Sequence, residues 1–255
     1  MPEPAPVCPG FKFILSSVRA DGLIAAPTGE SNMYDHGIGA IVLAELYGQS
    51  KAPAFRPKLE RAIALITRVQ NKDGGWRYRP VPLDADISVT VLQLVALRSA
   101  KNAGLDVPQQ TLDRAVAYVK SCYDRASGGF NYQPNTNDPG FARTAAAMYS
   151  LQVCGLYEDP QLQSASKFLI AHRGDEREWY TYGHFYAAPA MYMLSQENWK
   201  KWYPSISAEL SKNVKRDKDG AYWEPTPPVT NPVWPTAVYT TILAMPYHYV
   251  PLYQR

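Results

Sequence analysis

Cysteine is scarce in this 255-residue chain. Cys8, Cys122 and Cys154 are an odd count, and none sits in a CxxC pair. That spacing argues against a disulfide framework and against a structural zinc site. No apolar run is long enough to span a bilayer. No signal peptide is visible either, because residues 1–8 read as a Pro-rich lead-in. The expectation is therefore cytoplasmic, or exported if a leader has been removed. Charge of one sign is lacking too: 26 Lys and Arg stand against 23 Asp and Glu, for a net +3, with no basic run. Nothing in that balance draws the chain toward nucleic acid or an anionic membrane. No stretch carries a strand signal worth a domain. No metal and no cofactor is expected, and composition says nothing of oligomeric state.

What is present is aromatic and proline-rich: 18 Tyr and 22 Pro. Two kinds of helical pattern alternate. The small-residue or apolar segments are 38–47, 86–103, 141–154, 182–195 and 235–245, the fourth kinked by Pro189. The amphipathic ones are 57–70, 109–122, 160–172 and 198–216, preceded by a short first helix over 9–20. Helices that are apolar all round are buried, and amphipathic ones face water. Short links make sequential neighbours antiparallel. The arrangement expected is one all-α domain over residues 1–255, an α/α toroid of about five hairpins. Parallel apolar helices form its inner ring and amphipathic ones its outer ring. No interdomain linker is visible.

The stretch from Arg61 to Trp76 shows how a hairpin is joined. An amphipathic helix runs into Gly74-Gly75, which can take positive φ and end it. Trp76 then folds back as a plug beneath the turn. Gln70 is placed to bond the exposed peptide groups there or to stack on the indole. The same register recurs at Gly10, Phe13, Ile14, Gly22 and Ile24, with Val18 in the glutamine place. It recurs at Arg114, Ala115, Tyr118, Val119, Gly128 and Phe130, and at Ala165, Phe168, Leu169 and Trp179, where Arg173 and Arg177 replace Gln and Gly. A looser copy has Ala208, Gly220 and Tyr222. The turns at 22, 74, 128, 177 and 220 are roughly 40 to 55 residues apart, as in arrays of paired helices.

The pattern Arg61, Ala62, Ile66, Gln70, Gly74, Trp76 resembles the "QW" repeat of squalene and oxidosqualene cyclases, which is related to the repeats of protein prenyltransferase β subunits. Only Leu65 departs, where an aromatic is usual. The runs Tyr34-Asp-His-Gly, Asp86-Ile-Ser-Val-Thr, Trp199-Lys-Lys-Trp and Tyr247-His-Tyr-Val-Pro-Leu-Tyr resemble single-domain bacterial "prenyltransferase/squalene oxidase repeat" proteins. The resemblance implies the same toroid. It does not extend to prenyltransferase zinc chemistry, since no Asp-x-Cys pair is present.

Parallel inner helices aim their N-termini, with free N–H groups and partial positive charge, at one mouth. His36, Asp84, Asp86, Arg143 and His184 stand at those starts and are the candidate catalytic residues. The resemblance implies a class II terpene cyclase, an isomerase-type reaction: Asp84 and Asp86 match the first two carboxylates of an Asp-x-Asp-Asp motif, with Asp86 in the proton donor's place and Ile87 replacing the third. Paired carboxylates raise the pKa of one. Trp76, Tyr78, Tyr149, Tyr182, Tyr186, Trp234 and Tyr239 would line a cavity for a polyprenyl or terpenoid ligand and meet carbocations by cation–π contact. Asp86 is equally well placed as a helix N-cap. A second reading is a polysaccharide lyase-like β-elimination with His36, Arg143, Tyr182 and His184. A third is a non-catalytic binding or scaffold domain. The partner in each case is an apolar or anionic small molecule. Arg143 at a helix start opposes the helix dipole, so a carboxylate partner or an anion is expected beside it, with Asp84 or Asp86 as the candidates.

Overall fold

The computed structural model of the chain describes residues 7–26, 32–175, 179–218, 220–226 and 229–247. The lead-in up to residue 6, the loop at Pro27 and Gly29, Arg177 and the tail from His248 lie outside them. Among the described residues the fold is all-α apart from one small two-stranded hairpin. Contacts gather into two compact units, Met1–Ser121 and Cys122–Arg255.

The first unit holds α1 (Val7–Ser16), α2 (Asn32–Ser50), α3 (Arg56–Arg68), α4 (Ile87–Asn102) and α5 (Gln109–Ser121). α4 is mostly apolar, and 12 of its 16 residues are buried. Asp86 caps it, accepting the Val89 N–H at 2.9 Å. Gly104, at φ +93°, ends it while the Leu105 N–H reaches back to the Ala100 carbonyl, a glycine C-terminal motif. α2 lies alongside α4: Gly37 approaches Leu92 and Gln93, and Gly48 approaches Ala103. Both numbers rise together, so the two helices are parallel. Gln93 ties them by donating to the Met33 carbonyl at 2.8 Å. α2 starts earlier than its apolar run predicts, so Tyr34, Asp35 and His36 are helical. It also passes through Gly48, and Lys51 takes the positive φ beyond its end.

The second unit holds α6 (Phe141–Val153), α7 (Pro160–Ala171), α8 (Tyr180–Leu194), α9 (Gln196–Asn213), β1 (Lys215–Asp217), β2 (Gly220–Tyr222) and α10 (Val233–Ala244), followed by a 3-10 turn. α6 and α8 form a second parallel pair, with Gly183 against Phe141 and Ala142, and with Gln152 donating to the Ala190 carbonyl at 3.0 Å. α6 ends as α4 does, with Gly155 at φ +88°. The expected helix over 198–216 stops at Asn213, because Val214 is extended and 215–217 pairs antiparallel with 220–222. Asp217 accepts the Gly220 N–H and closes that turn. α10 buries only Pro235, Val238, Tyr239 and Ile242, while Val233 is exposed.

The repeated turns share one construction. Gly22, Gly74, Gly128 and Gly220 all have positive φ. A side chain on Gly22 would strike the Arg61 carbonyl, and one on Gly74 the Arg114 carbonyl; on Gly128 it would meet Ser164. Those residues precede Ala62, Ala115 and Ala165, so these three turns pack on the middle of the next amphipathic helix, while a side chain on Gly220 would meet nothing within 4 Å. A Cβ on the second glycine would lie 3.1 Å from Tyr118 at Gly75 and 2.9 Å from Phe168 at Gly129. The glycine therefore makes room for the aromatic of the following repeat. Where Leu23 stands in the second-glycine place, the following helix has Leu65 instead of an aromatic, an exchange in the direction that conserves volume.

Gln70 bonds both its own turn, at the Gly74 carbonyl (2.8 Å), and the next helix, at the Thr111 carbonyl (2.9 Å). Arg114 returns a hydrogen bond to the Asn71 carbonyl, which accounts for the basic residue opening the motif. Trp76 is 1% exposed and donates Nε1–H to the Ile66 carbonyl at 2.8 Å. In the last repeat Trp223, rather than Tyr222, is the plug: its Nε1–H donates to the Leu210 carbonyl at 2.8 Å. Trp179 is not a plug at all. It is 47% exposed and precedes α8.

One contact was not anticipated. The backbone N–H of each plug residue donates to a side chain in the first turns of the following apolar helix. Trp76 donates to Thr90 Oγ1 at 3.0 Å, Phe130 to Thr144 Oγ1 at 2.9 Å and Trp223 to Thr236 Oγ1 at 3.1 Å. In the first repeat Ile24 donates to His36 Nδ1 at 3.1 Å.

Candidate ligand-binding site

Aromatic side chains gather on one face of α8. Tyr182, Phe185 and Tyr186 are spaced three and four apart, so they share a helical stripe. Tyr186 meets Tyr182 edge-on at 5.0 Å, Phe185 at 4.8 Å and Tyr149 of α6 at 5.8 Å. Phe185 meets Trp234 of α10 at 5.3 Å. Tyr149 and Tyr186 are buried, while Tyr182, Phe185 and Trp234 are half-buried. The result is an aromatic wall with a packed base and three edges reaching the surface. Four of its five members were expected from the sequence. Phe185 was not, although its place between Tyr182 and Tyr186 was a signal. The other expected aromatics are elsewhere. Trp76 is held in the clasp. Tyr239 is buried against Trp223 and Tyr180, its hydroxyl 2.8 Å from Thr181 Oγ1, and burial pushes its pKa up. Tyr78 belongs to the first unit.

There the start of α4 carries a charged cluster. Arg77 Nη1 lies 2.8 Å from Asp84 Oδ2, and Arg77 Nε lies 3.7 Å from Asp86 Oδ2. The same guanidinium sits over the Tyr78 ring, 5.2 Å from its centre, and Tyr78 stacks on Tyr34 at 6.0 Å. Burial, followed by the Asp86 carboxylate, pushes the Tyr34 phenol up, against the Ser88 hydroxyl and Arg77. Asp86 is fully buried and caps the helix. Arg77 thus stands between the two carboxylates that the sequence offers as a shared-proton pair.

The second unit repeats this device with the arginine moved. Arg143 lies 2.6 Å from Asp138 and 6.0 Å from the centre of the Tyr132 ring. Burial alone would raise the Asp138 pKa, but the Thr136 hydroxyl, the Tyr132 N–H and Arg143 overcome it and hold the group low. Arg143 thus has the carboxylate partner that its place at a helix start demands. The residue is Asp138, from the loop before its own helix, where the sequence pointed to Asp84 or Asp86.

Both candidate histidines are fully buried. His36 accepts from Ile24 at Nδ1 and donates through Nε2 to the Ala62 carbonyl at 3.2 Å. His184 donates through Nδ1 to the Tyr180 carbonyl at 2.9 Å, and its ring lies between those of Tyr180, Phe141 and Trp202. Burial takes both pKa values down to about 4, against the hydrogen bonds to Ala62 and Tyr180. Within the first unit His36 and Asp86 have different neighbours, and within the second so do Arg143 and His184. Among the described residues no cluster of His, Cys, Asp and Glu could hold a metal ion, and no helix is long and apolar enough to cross a membrane.

No protein-family model matches the chain, and no curated protein matches it in sequence. In backbone it is similar to a crystal structure of a protein from Actinoplanes, with a TM-score of 0.61 and 16% identity over 94% of this chain and 74% of that one. At that identity the likeness concerns the fold alone.

Proposed function

We propose that the chain is a squalene cyclase-like α/α toroid that binds an apolar polyprenyl or terpenoid ligand against the aromatic wall of α6, α8 and α10. The single observation that carries this reading is the wall itself. Tyr149, Tyr182, Phe185, Tyr186 and Trp234 present contiguous ring faces and edges with three members half-exposed. Such surfaces take apolar ligands through large area and favourable ring contacts. The repeated turns, with Gly22, Gly74 and Gly128 packed on the next helix, and the two parallel buried pairs support the toroid.

Binding is favoured over cyclisation begun by Asp86. Asp86 is fully buried, its Oδ1 is committed to the Val89 N–H as the cap of α4, and Arg77 Nε lies 3.7 Å from its Oδ2. A lyase-type base at His36 is opposed by the use of both its ring nitrogens.

The test is titration of the intact protein with farnesol and squalene, followed by tryptophan fluorescence and by native mass spectrometry. Trp234→Ala and Tyr182→Ala should each weaken binding about tenfold, the effect of roughly 1.4 kcal/mol of lost contact. Wild-type protein that binds neither compound, or variants that bind as tightly as wild type, would refute the proposal. Release of unsaturated uronates from a polyuronate would restore the lyase reading.

A further inference from the structure

Among the described residues, three of the four repeat turns rest on a threonine hydroxyl, and one rests on an imidazole. Thr90, Thr144 and Thr236 accept the N–H of Trp76, Phe130 and Trp223. A hydroxyl does so at any ordinary pH. His36 accepts the N–H of Ile24 in the same place, and it can do so only while Nδ1 lacks a proton.

We propose that His36 is an acid-sensitive latch, and that its protonation releases the first repeat turn, residues 17–26, from α2 while the threonine-held turns stay closed.

The geometry allows no alternative bond. Nε2–H is held by the Ala62 carbonyl in α3, so the neutral ring has one tautomer that fits and Nδ1 is the acceptor. A proton on Nδ1 would point an N–H at the Ile24 N–H. Turning the ring over would only exchange one donor for another. Ile24 is 4% exposed and His36 is fully buried, so water does not replace the lost bond. A buried donor left without an acceptor is destabilising.

The charged groups around the latch are few. From the loop after α1, Asp21 favours the protonated ring, but its effect is smaller than that of burial. Asp35 on α2 is engaged with the Ala26 N–H, and Arg19 with the Ala26 carbonyl. From α3, Lys58 is bonded to the Leu15 carbonyl, and Arg61 contributes the carbonyl under Gly22. α4 brings Leu92 and Gln93 beside Gly37, neither of them ionisable. Half of the turn is buried, Val18, Gly22, Leu23, Ile24 and Ala25, with Ile24 against Gly39 of α2 and the Ala26 N–H on Asp35, so the imidazole bond is one of several contacts that seat it.

The test is amide hydrogen exchange on the intact protein, resolved by peptide and corrected for intrinsic rates, at pH 7 and pH 5. With a folded value of about 4 against the ordinary imidazole value of 6.5, opening of 17–26 should be about 20-fold more frequent at pH 5. The turn at 71–76, held by Thr90 in the same unit, is the internal reference and should change far less. His36→Thr installs the hydroxyl of the other repeats and should abolish the response. His36→Gln, whose amide can both accept from Ile24 and donate to Ala62, serves the same purpose if the threonine variant does not fold. The proposal is overturned by no pH response in wild type, by an equal response in the variants, or by 17–26 and 71–76 losing protection together.

Discussion

Replacing Trp76 by alanine tests the clasp most directly. The indole is 1% exposed, and its Nε1–H donates to the Ile66 carbonyl at 2.8 Å. Ile66 lies in the last turn of α3, where carbonyls have no partner within the helix. The substitution therefore loses the transfer free energy of a large ring, leaves a cavity, and orphans a buried carbonyl. The surroundings are poorly placed to collapse, because the Trp76 backbone stays pinned by Thr90 and by the Asp86 N–H at 3.0 Å. The expected loss is about 3–5 kcal/mol, as for other buried aromatic-to-alanine changes. Trp76→Phe keeps much of the ring but not the donor, and should cost about 1–3 kcal/mol. Trp223→Ala removes the equivalent bond to Leu210 and should behave like Trp76→Ala. Urea unfolding followed by circular dichroism, with midpoint and slope both fitted, measures all three. A loss below about 1 kcal/mol for Trp76→Ala would refute the plug-and-clasp argument.

Gly75 has an ordinary φ but its added Cβ would sit 2.5 Å from Ala85 Cβ, so Gly75→Ala should cost about 1–3 kcal/mol by crowding alone. Gly104→Ala meets nothing within 4 Å and should cost only about 1–2 kcal/mol, from its positive φ; a larger loss there than at Gly75 in urea melts would contradict the packing argument. Asp86→Ala should cost about 0.5–2 kcal/mol through the lost cap, whereas Asp86→Asn keeps an acceptor and should cost less; equal thermal shifts for the two would count against capping. His184 is lowered to about 4 from an unfolded value of 6.5, so the unfolded state binds more protons between those values. Stability of the second unit should therefore be full above pH 6.5 and fall as the pH drops toward 4, by up to about 3 kcal/mol. Denaturant midpoints that stay flat from pH 7 to pH 4.5 would exclude this.

Much of the fold was legible because it depends on local rules. Gly104 and Gly155 end apolar helices, Asp86 caps one, and Gly74-Gly75-Trp76 closes an amphipathic one, each at the residue that the backbone demands. Such signals place helix ends to within a few residues even where α2 overran Gly48. The hairpin at 215–222 was not legible, since Lys-Arg-Asp carries no alternation and pairs only because Val214 turns extended out of the helix and Asp217 closes the turn on the Gly220 N–H.

The candidate site was legible in kind and not in assignment. Its aromatic stripe on α8 follows from helical spacing, which residue order dictates. The partners of the charged and titratable residues do not follow from spacing. Arg143 meets Asp138 and Arg77 bridges Asp84 and Asp86 because loops fold back over helix starts. His36 fills the place that threonine holds in the other repeats, its Nδ1 accepting the Ile24 N–H from twelve residues earlier in the chain. Sequence by itself determined most helix ends to within a few residues, which faces are apolar, and that a turn recurs. Tertiary structure alone decided which acceptor each buried donor finds, because that choice depends on distances of a few tenths of an ångström between segments far apart in the chain.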